Sequence, residues 1–177
     1  PRPPARAASP APRPGLRRRI EVLAIGTSTG GPNALAEFLP ALPGDFPVPI
    51  VIVQHMPPIF TRLLAERLAG RSHIRVREGE AGQILEPGHA WIAPGDYHMA
   101  LERNGASVRI ALRQSPPEHS CRPAVDVLFR SVAEAYGPST LGVVMTGMGA
   151  DVVRGDEGAR WRVAGDPTCR RHHLGLD

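Results

Sequence analysis

The order of apolar and polar positions switches repeatedly between two periods. The stretch "IEVLAI" at 20–25 is a short buried run, and "VPIVIVQ" at 48–54 is nearly continuous in β-branched residues. Runs of this kind are expected of interior parallel strands, which are covered on both faces. Between and after them the spacing becomes helical. "PNALAEFLPAL" at 32–42 predicts a helix with Pro32 in its first turn, where a missing N–H costs nothing. "PPIFTRLLAERLAG" at 57–70 predicts an amphipathic helix with Leu63, Leu64 and Leu68 on one side and Gly70 as its stop. "AVDVLFRSVAEAYG" at 124–137 and "LGVVMT" at 141–146 repeat the helix-then-strand order.

The middle of the chain reads differently. "HIRVRE", "AWIAP", "HMALE" and "SVRIALR" are short strands split by glycine-rich turns, which predicts an antiparallel patch. The whole implies an α/β fold: a doubly wound, mostly parallel sheet with helices on both faces and a small antiparallel patch, a three-layer, Rossmann-like arrangement. Two segments fall outside this pattern. Residues 1–19 are rich in Pro, Ala and Arg and have little to bury, so they predict a linker or a disordered tail. Residues 152–177 match neither period, and no element is assigned there.

Charge narrows the function classes. The pI of about 10.0 suggests nucleic-acid binding at first sight. Residues 1–19 hold six arginines and no acid, and residues 152–177 carry a net +1; of the chain's total of +4, the body from 20 to 151 therefore carries −3. The basicity belongs to the ends, so no nucleic-acid partner is expected. No apolar run approaches the roughly 20 residues that span a bilayer, so membrane insertion is not expected. Cys121 and Cys169 show no metal or redox spacing, which fits a reducing cytoplasm. No cofactor or metal is expected either: His73, His89, His98, His119, His172 and His173 have no ligand spacing.

Three strand ends carry chemistry. "VLAIG" runs into Ser28, "IVIVQ" into His55, and "LGVVMTGMGA" into Asp151. In a doubly wound sheet, ligands collect at the carboxyl ends of the strands. A serine hydroxyl needs an imidazole to take its proton, and the imidazole needs a carboxylate to hold its tautomer. Glycines 26, 30 and 31 allow a sharp strand-to-helix turn, which would present Ser28 Oγ where helix N–H groups can hold an oxyanion. The string fits G-x-S-x-G with a strand before and a helix after. Its order, Ser…His…Asp, differs from the Ser…Asp/Glu…His order of α/β-hydrolases, which suggests convergence. A backbone N–H near Met148, in "TGMGAD", is placed to reach the same oxyanion. Met56 is either site lining or core, and Arg122 either meets an acid or lies on the surface. Asp96 and His98, in "APGDYHM", read as loop residues. Each candidate has a plainer alternative. The glycine turn could be a non-catalytic anion or phosphate site at a helix N-terminus, His55 a structural hydrogen-bonder, and Asp151 a helix cap.

Five stretches together, "AIGTSTGGPNAL", "VQHMPPIFTRLLAERL", "GHAWIAPGDYHMAL", "CRPAVDVLFRSV" and "GVVMTGMGADV", resemble the catalytic domain of the CheB chemotaxis methylesterases over about residues 20 to 152. The resemblance implies hydrolysis of glutamate γ-methyl esters on the cytoplasmic helices of chemoreceptors, with a related glutamine deamidase activity. It places the nucleophile on Ser28, the base on His55 and the orienting carboxylate on Asp151, with Thr29 and Met148 as neighbouring site residues. It implies a catalytic domain over 20–177 and, in many relatives, a phosphorylatable receiver domain upstream of a linker. Residues 155–177 depart from the family pattern, as an incomplete or inactive product would. Losing a strand and two helices would cost apolar burial at about 25 cal/mol per Å² against a net stability of only about 5–15 kcal/mol. The expected outcome of a thermal melt is therefore no cooperative transition above about 45 °C, the usual lower bound for intact mesophilic domains.

Overall fold

The computed structural model describes residues 19–146 and 160–163. Eight strands and three α-helices are described, besides two single-turn 3-10 helices: β1 Val22–Thr27, α1 Gly31–Phe38, β2 Ile50–Gln54, α2 Phe60–Ala69, β3 Arg75–Glu78, β4 His89–Ile92, β5 His98–Asn104, β6 Ser107–Arg113, α3 Val125–Tyr136, β7 Thr140–Thr146 and β8 Arg160–Val163. Six of the strands form one sheet in the order β3-β4-β2-β1-β7-β8, and every pairing within it is parallel. β5 and β6 form a separate antiparallel pair. None of the described helices is long and apolar enough to cross a membrane.

The sheet is covered on both faces, and its central strands are apolar throughout for that reason. On one face, Val22, Ala24, Val51 and Val53 pack with Val125, Leu128, Phe129 and Val132 of α3 and with the β5–β6 pair. On the other, Leu23, Ile25, Ile50 and Ile52 pack with Leu35 of α1 and with Leu64 and Leu68 of α2. The expected three-layer, doubly wound α/β architecture is what the chain adopts.

Three expectations change in detail. "HIRVRE" and "AWIAP" contribute β3 and β4, which pair parallel to each other in the main sheet, so the antiparallel patch is β5 and β6 alone. The alternation in β3 (Val76 buried, Arg75 and Arg77 exposed) comes from its place at the sheet edge. Leu63 is 52% exposed, because the inward arc of α2 is Thr61, Leu64, Ala65 and Leu68, at spacings of three, four and seven. The stretch "RWRV", to which no element was assigned, is β8, paired with β7 from Leu141↔Arg160 to Val144↔Val163. Four residues on an outer strand are too few to give a readable period.

β1 lies between β2 and β7. The chain runs from β1 through α1 to β2 on one side and returns through α3 to β7 on the other. This reversal is the topological switch point where α/β sheets open a crevice. Gly26, in β1 beneath that crevice, lets α3 pack closely: a Cβ there would stand 2.6 Å from Val125 Cγ1. Gly26→Ala is expected to destabilise the fold by about 1–3 kcal/mol, the usual cost of overpacking. Combining it with Val125→Ala should recover part of that loss. A double-mutant cycle by urea denaturation measures this, and strictly additive effects would contradict the contact.

Candidate active site

The site follows from strand register. β1 and β2 pair in parallel with Thr27 opposite Gln54, so the next residue on each strand, Ser28 and His55, leaves the sheet side by side. The last bond of this ladder is donated by His55 N–H to Thr27 O at 3.2 Å. Beyond Ser28 the chain turns through Gly30 at φ 82°, a left-handed conformation that favours glycine. Gly31 N–H donates to Ser28 O at 2.8 Å, and α1 begins at once. Ser28 is half-buried, Thr29 exposed and His55 half-buried, so all three are within reach of solvent at the rim. β7 flanks β1 on the other side, with Thr146 opposite Thr27. Asp151 and Met148 follow β7 in sequence and lie outside the described residues.

A buried polar lock sits directly beneath Ser28 and His55. Thr27 Oγ1 donates to Gln54 Oε1 at 2.7 Å. Gln54 Nε2 donates to Ser28 O at 3.0 Å and to His55 O at 3.2 Å. Gln54 is 2% exposed and Thr27 fully buried. The lock needs Gly31: a Cβ there would collide with Gln54 Oε1 and stand 2.7 Å from Thr27 Cβ. Gln54 does not stand out in the sequence. Its only signal was a lone polar residue closing an apolar strand.

The loop before α3 reaches His55. Cys121 Sγ lies 3.7 Å from His55 Nδ1, so a cysteine without informative spacing turns out to neighbour the imidazole. Arg122 meets an acid: its Nε donates to Asp96 Oδ1 at 3.0 Å, and its Nη1 donates to Ser115 O at 3.0 Å. Asp96 N–H donates back to Arg122 O at 3.2 Å, which ties the loop after β4 to the loop before α3. His98 is fully buried; Ala124 N–H donates to its Nδ1, so the ring proton sits on Nε2 and is donated to Pro116 O at 3.1 Å. Its role is structural, but it opens β5 and pairs with Arg113 where a loop position was expected. Met56 is partly buried against the α1–α2 core cluster, which supports the core reading for it.

The loop that carries His55 into α2 is braced from below. A Cβ on Gly95 would stand 2.6 Å from Pro57 C, so the two loops lie in close contact. Gly95 N–H donates to Thr61 Oγ1 at 3.0 Å, and Thr61 Oγ1 donates to Glu78 Oε1 at 2.6 Å.

A model of the CheB methylesterase family matches residues 23–160, most of the chain and all of the described sheet except Val22 of β1 and the last three residues of β8. The chain belongs to the CheB methylesterase family. A protein-glutamate methylesterase/protein-glutamine glutaminase of Trichodesmium erythraeum is 57% identical over 140 residues, covering 79% of this chain and 40% of the relative. A similarly named protein of Anaeromyxobacter dehalogenans is 45% identical over 172 residues, covering 94% of this chain and 48% of the relative. At that coverage the alignment extends past residue 155, into the segment expected to depart from the family pattern. Among solved structures, the Thermotoga maritima CheB methylesterase catalytic domain superposes with a TM-score of 0.73 at 45% identity, covering 76% of this chain and 71% of that one. The chain thus spans less than half the length of these two curated relatives but most of the CheB catalytic domain.

The bracing of the His55 loop is testable. Thr61→Val leaves the Gly95 N–H without its acceptor and should cost about 1–3 kcal/mol. Thr61→Ser, which keeps the hydroxyl, should cost much less. Chemical denaturation of both variants separates the bond from the packing; equal losses would contradict it.

Proposed function

We propose that the chain hydrolyses glutamate γ-methyl esters on proteins, with Ser28 as nucleophile, His55 as general base and Asp151 as the group that orients the imidazole. The observation that carries the reading is the register-adjacent exit of Ser28 and His55 from β1 and β2 in a member of the CheB methylesterase family. His55 takes the proton of Ser28 Oγ as the oxygen attacks the ester carbonyl. The resulting oxyanion is held by backbone N–H groups at Thr29, where the turn enters α1, and at Met148. Collapse expels methanol, protonated by the imidazolium, and leaves an acyl-serine. Water attacks that acyl group in the same way, with the same base, to yield the glutamate and regenerate Ser28. A glutamine side-chain amide passes through the same steps with ammonia as leaving group, which accounts for a glutaminase activity like that in the relatives' names.

The substrates fitting this reading are the methylated cytoplasmic helices of chemoreceptors, reached from the cytoplasm, with a receiver domain upstream of the linker at 1–19 controlling access. The mechanism uses no cofactor.

Ser28→Ala should lower methanol release from a methylated receptor at least about a thousandfold, in line with the removal of other serine nucleophiles. Its unfolding transition should match that of the parent chain. A Ser28→Ala chain that still turns over at the parent rate would eliminate the nucleophile. A parent chain that binds phosphate but takes no fluorophosphonate at Ser28 would favour an anion-binding module instead.

A further inference from the structure

We propose that Gln54 is a positioning residue for the reaction above, acting as the tie that sets nucleophile and base at a fixed separation; the role rests on the esterase reading. Its amide spans the two strand exits. Nε2 has two protons, and the two acceptors facing it are the main-chain carbonyls of Ser28 and His55, at 3.0 and 3.2 Å. Oε1 takes the Thr27 hydroxyl proton at 2.7 Å. A flipped amide would put an oxygen against two carbonyl oxygens, which only accept, so the partners dictate the orientation. At 2% exposure the amide is shielded from competing water.

The ladder between β1 and β2 ends at the bond from His55 N–H to Thr27 O. One residue further, where the chemistry sits, the Ser28 carbonyl is held by Gly31 N–H from its own turn and by Gln54 from the neighbouring strand. The second bond is the one that couples the serine turn to the histidine strand. The absence of a Cβ at Gly31 leaves the space through which Gln54 reaches it. An error of about 1 Å in the placement of reacting groups can cost about a hundredfold in rate, so loosening this tie should reduce turnover more than substrate affinity.

The test measures the rate of fluorophosphonate labelling at Ser28 and the kcat and KM of ester hydrolysis in the full chain. Gln54→Leu is expected to lower labelling and kcat about 10- to 100-fold, with KM changed less than about twofold. Thr27→Val, which removes the hydroxyl that orients the amide, should cost less. The double variant should be no worse than Gln54→Leu alone, since both changes break one network. Gln54→Glu keeps the size and the Thr27 bond, and its protonated carboxyl can serve one carbonyl. Its rate relative to the parent should therefore fall as the pH rises and that proton leaves. This readout also covers the case in which Gln54→Leu does not fold.

Parent-rate labelling in a folded Gln54→Leu chain, or losses that multiply in the double variant, would overturn the role. So would a Gln54→Glu chain that matches the parent at every pH. A parent chain that takes no label at Ser28 would remove the esterase reading and this role with it, so the two failures are distinguishable.

Discussion

The register between β1 and β2 is the constraint on which the rest of the site depends. Both strands are buried on both faces, so an apolar-for-apolar slip would cost little in burial. In sheets with one wet face, a one-residue slip turns the hydrophobic set toward water and is strongly opposed. That penalty is weak here, because "VLAI" and "IVIV" offer apolar side chains in both directions. What specifies the pairing is the polar end of each strand. Thr27 and Gln54 bond to each other at 2.7 Å, and Gly31 leaves the space that this pair needs. Any slip would separate two buried polar side chains and leave them unsatisfied, at a cost of about 1–3 kcal/mol each. It would also move His55 about 3.3 Å along the strand relative to Ser28. The same pair therefore sets the fold's register and the spacing of the reagents.

The elements were largely legible because they are local. The central strands are β-branched runs flanked by turns, and the helices show a clear 3.6-residue period. Pairing direction is not local, and there the reading failed. The alternation of "HIRVRE" is that of a strand with one wet side, which an antiparallel hairpin strand and a parallel edge strand share. Only the chain's path through α2, which lays β3 at the outer edge beside β4, separates the two. Leu63 was misplaced for a related reason. Three leucines within six residues of α2 fix an apolar side only to within about a quarter turn, and the buried arc is centred on Thr61 and Ala65 as well.

The candidate site was legible to the extent that its residues stand at strand ends. Ser28 and His55 each follow an apolar run, and fold topology brings such positions together at the switch point. Gln54 was missed because a polar residue closing a strand is ordinary; its importance lies in partners 26 residues away and one residue away. Cys121 was missed because the loop before α3 approaches His55 across 66 residues of sequence, with no spacing rule to announce it. Arg122 carried an ambiguous signal that its partner resolved, since the acid it meets is Asp96 on the loop after β4.

These polar contacts share one physical origin. A parallel ladder satisfies the backbone only while the strands run together. Where they diverge, carbonyls such as Ser28 O and His55 O lose their next ladder partner while still close to the core. Water reaches them poorly, so side chains must supply donors. Gln54 does this for β1 and β2. Thr61 serves the adjoining loop in the complementary way, accepting from a backbone donor, Gly95 N–H, while donating to Glu78. The carboxyl rim of a doubly wound sheet thus collects oriented, desolvated hydrogen-bonding groups as a condition of ending its strands. A nucleophile and a base placed one residue beyond that network inherit its rigidity, because the groups that finish the fold are bonded to the same carbonyls that hold the reagents.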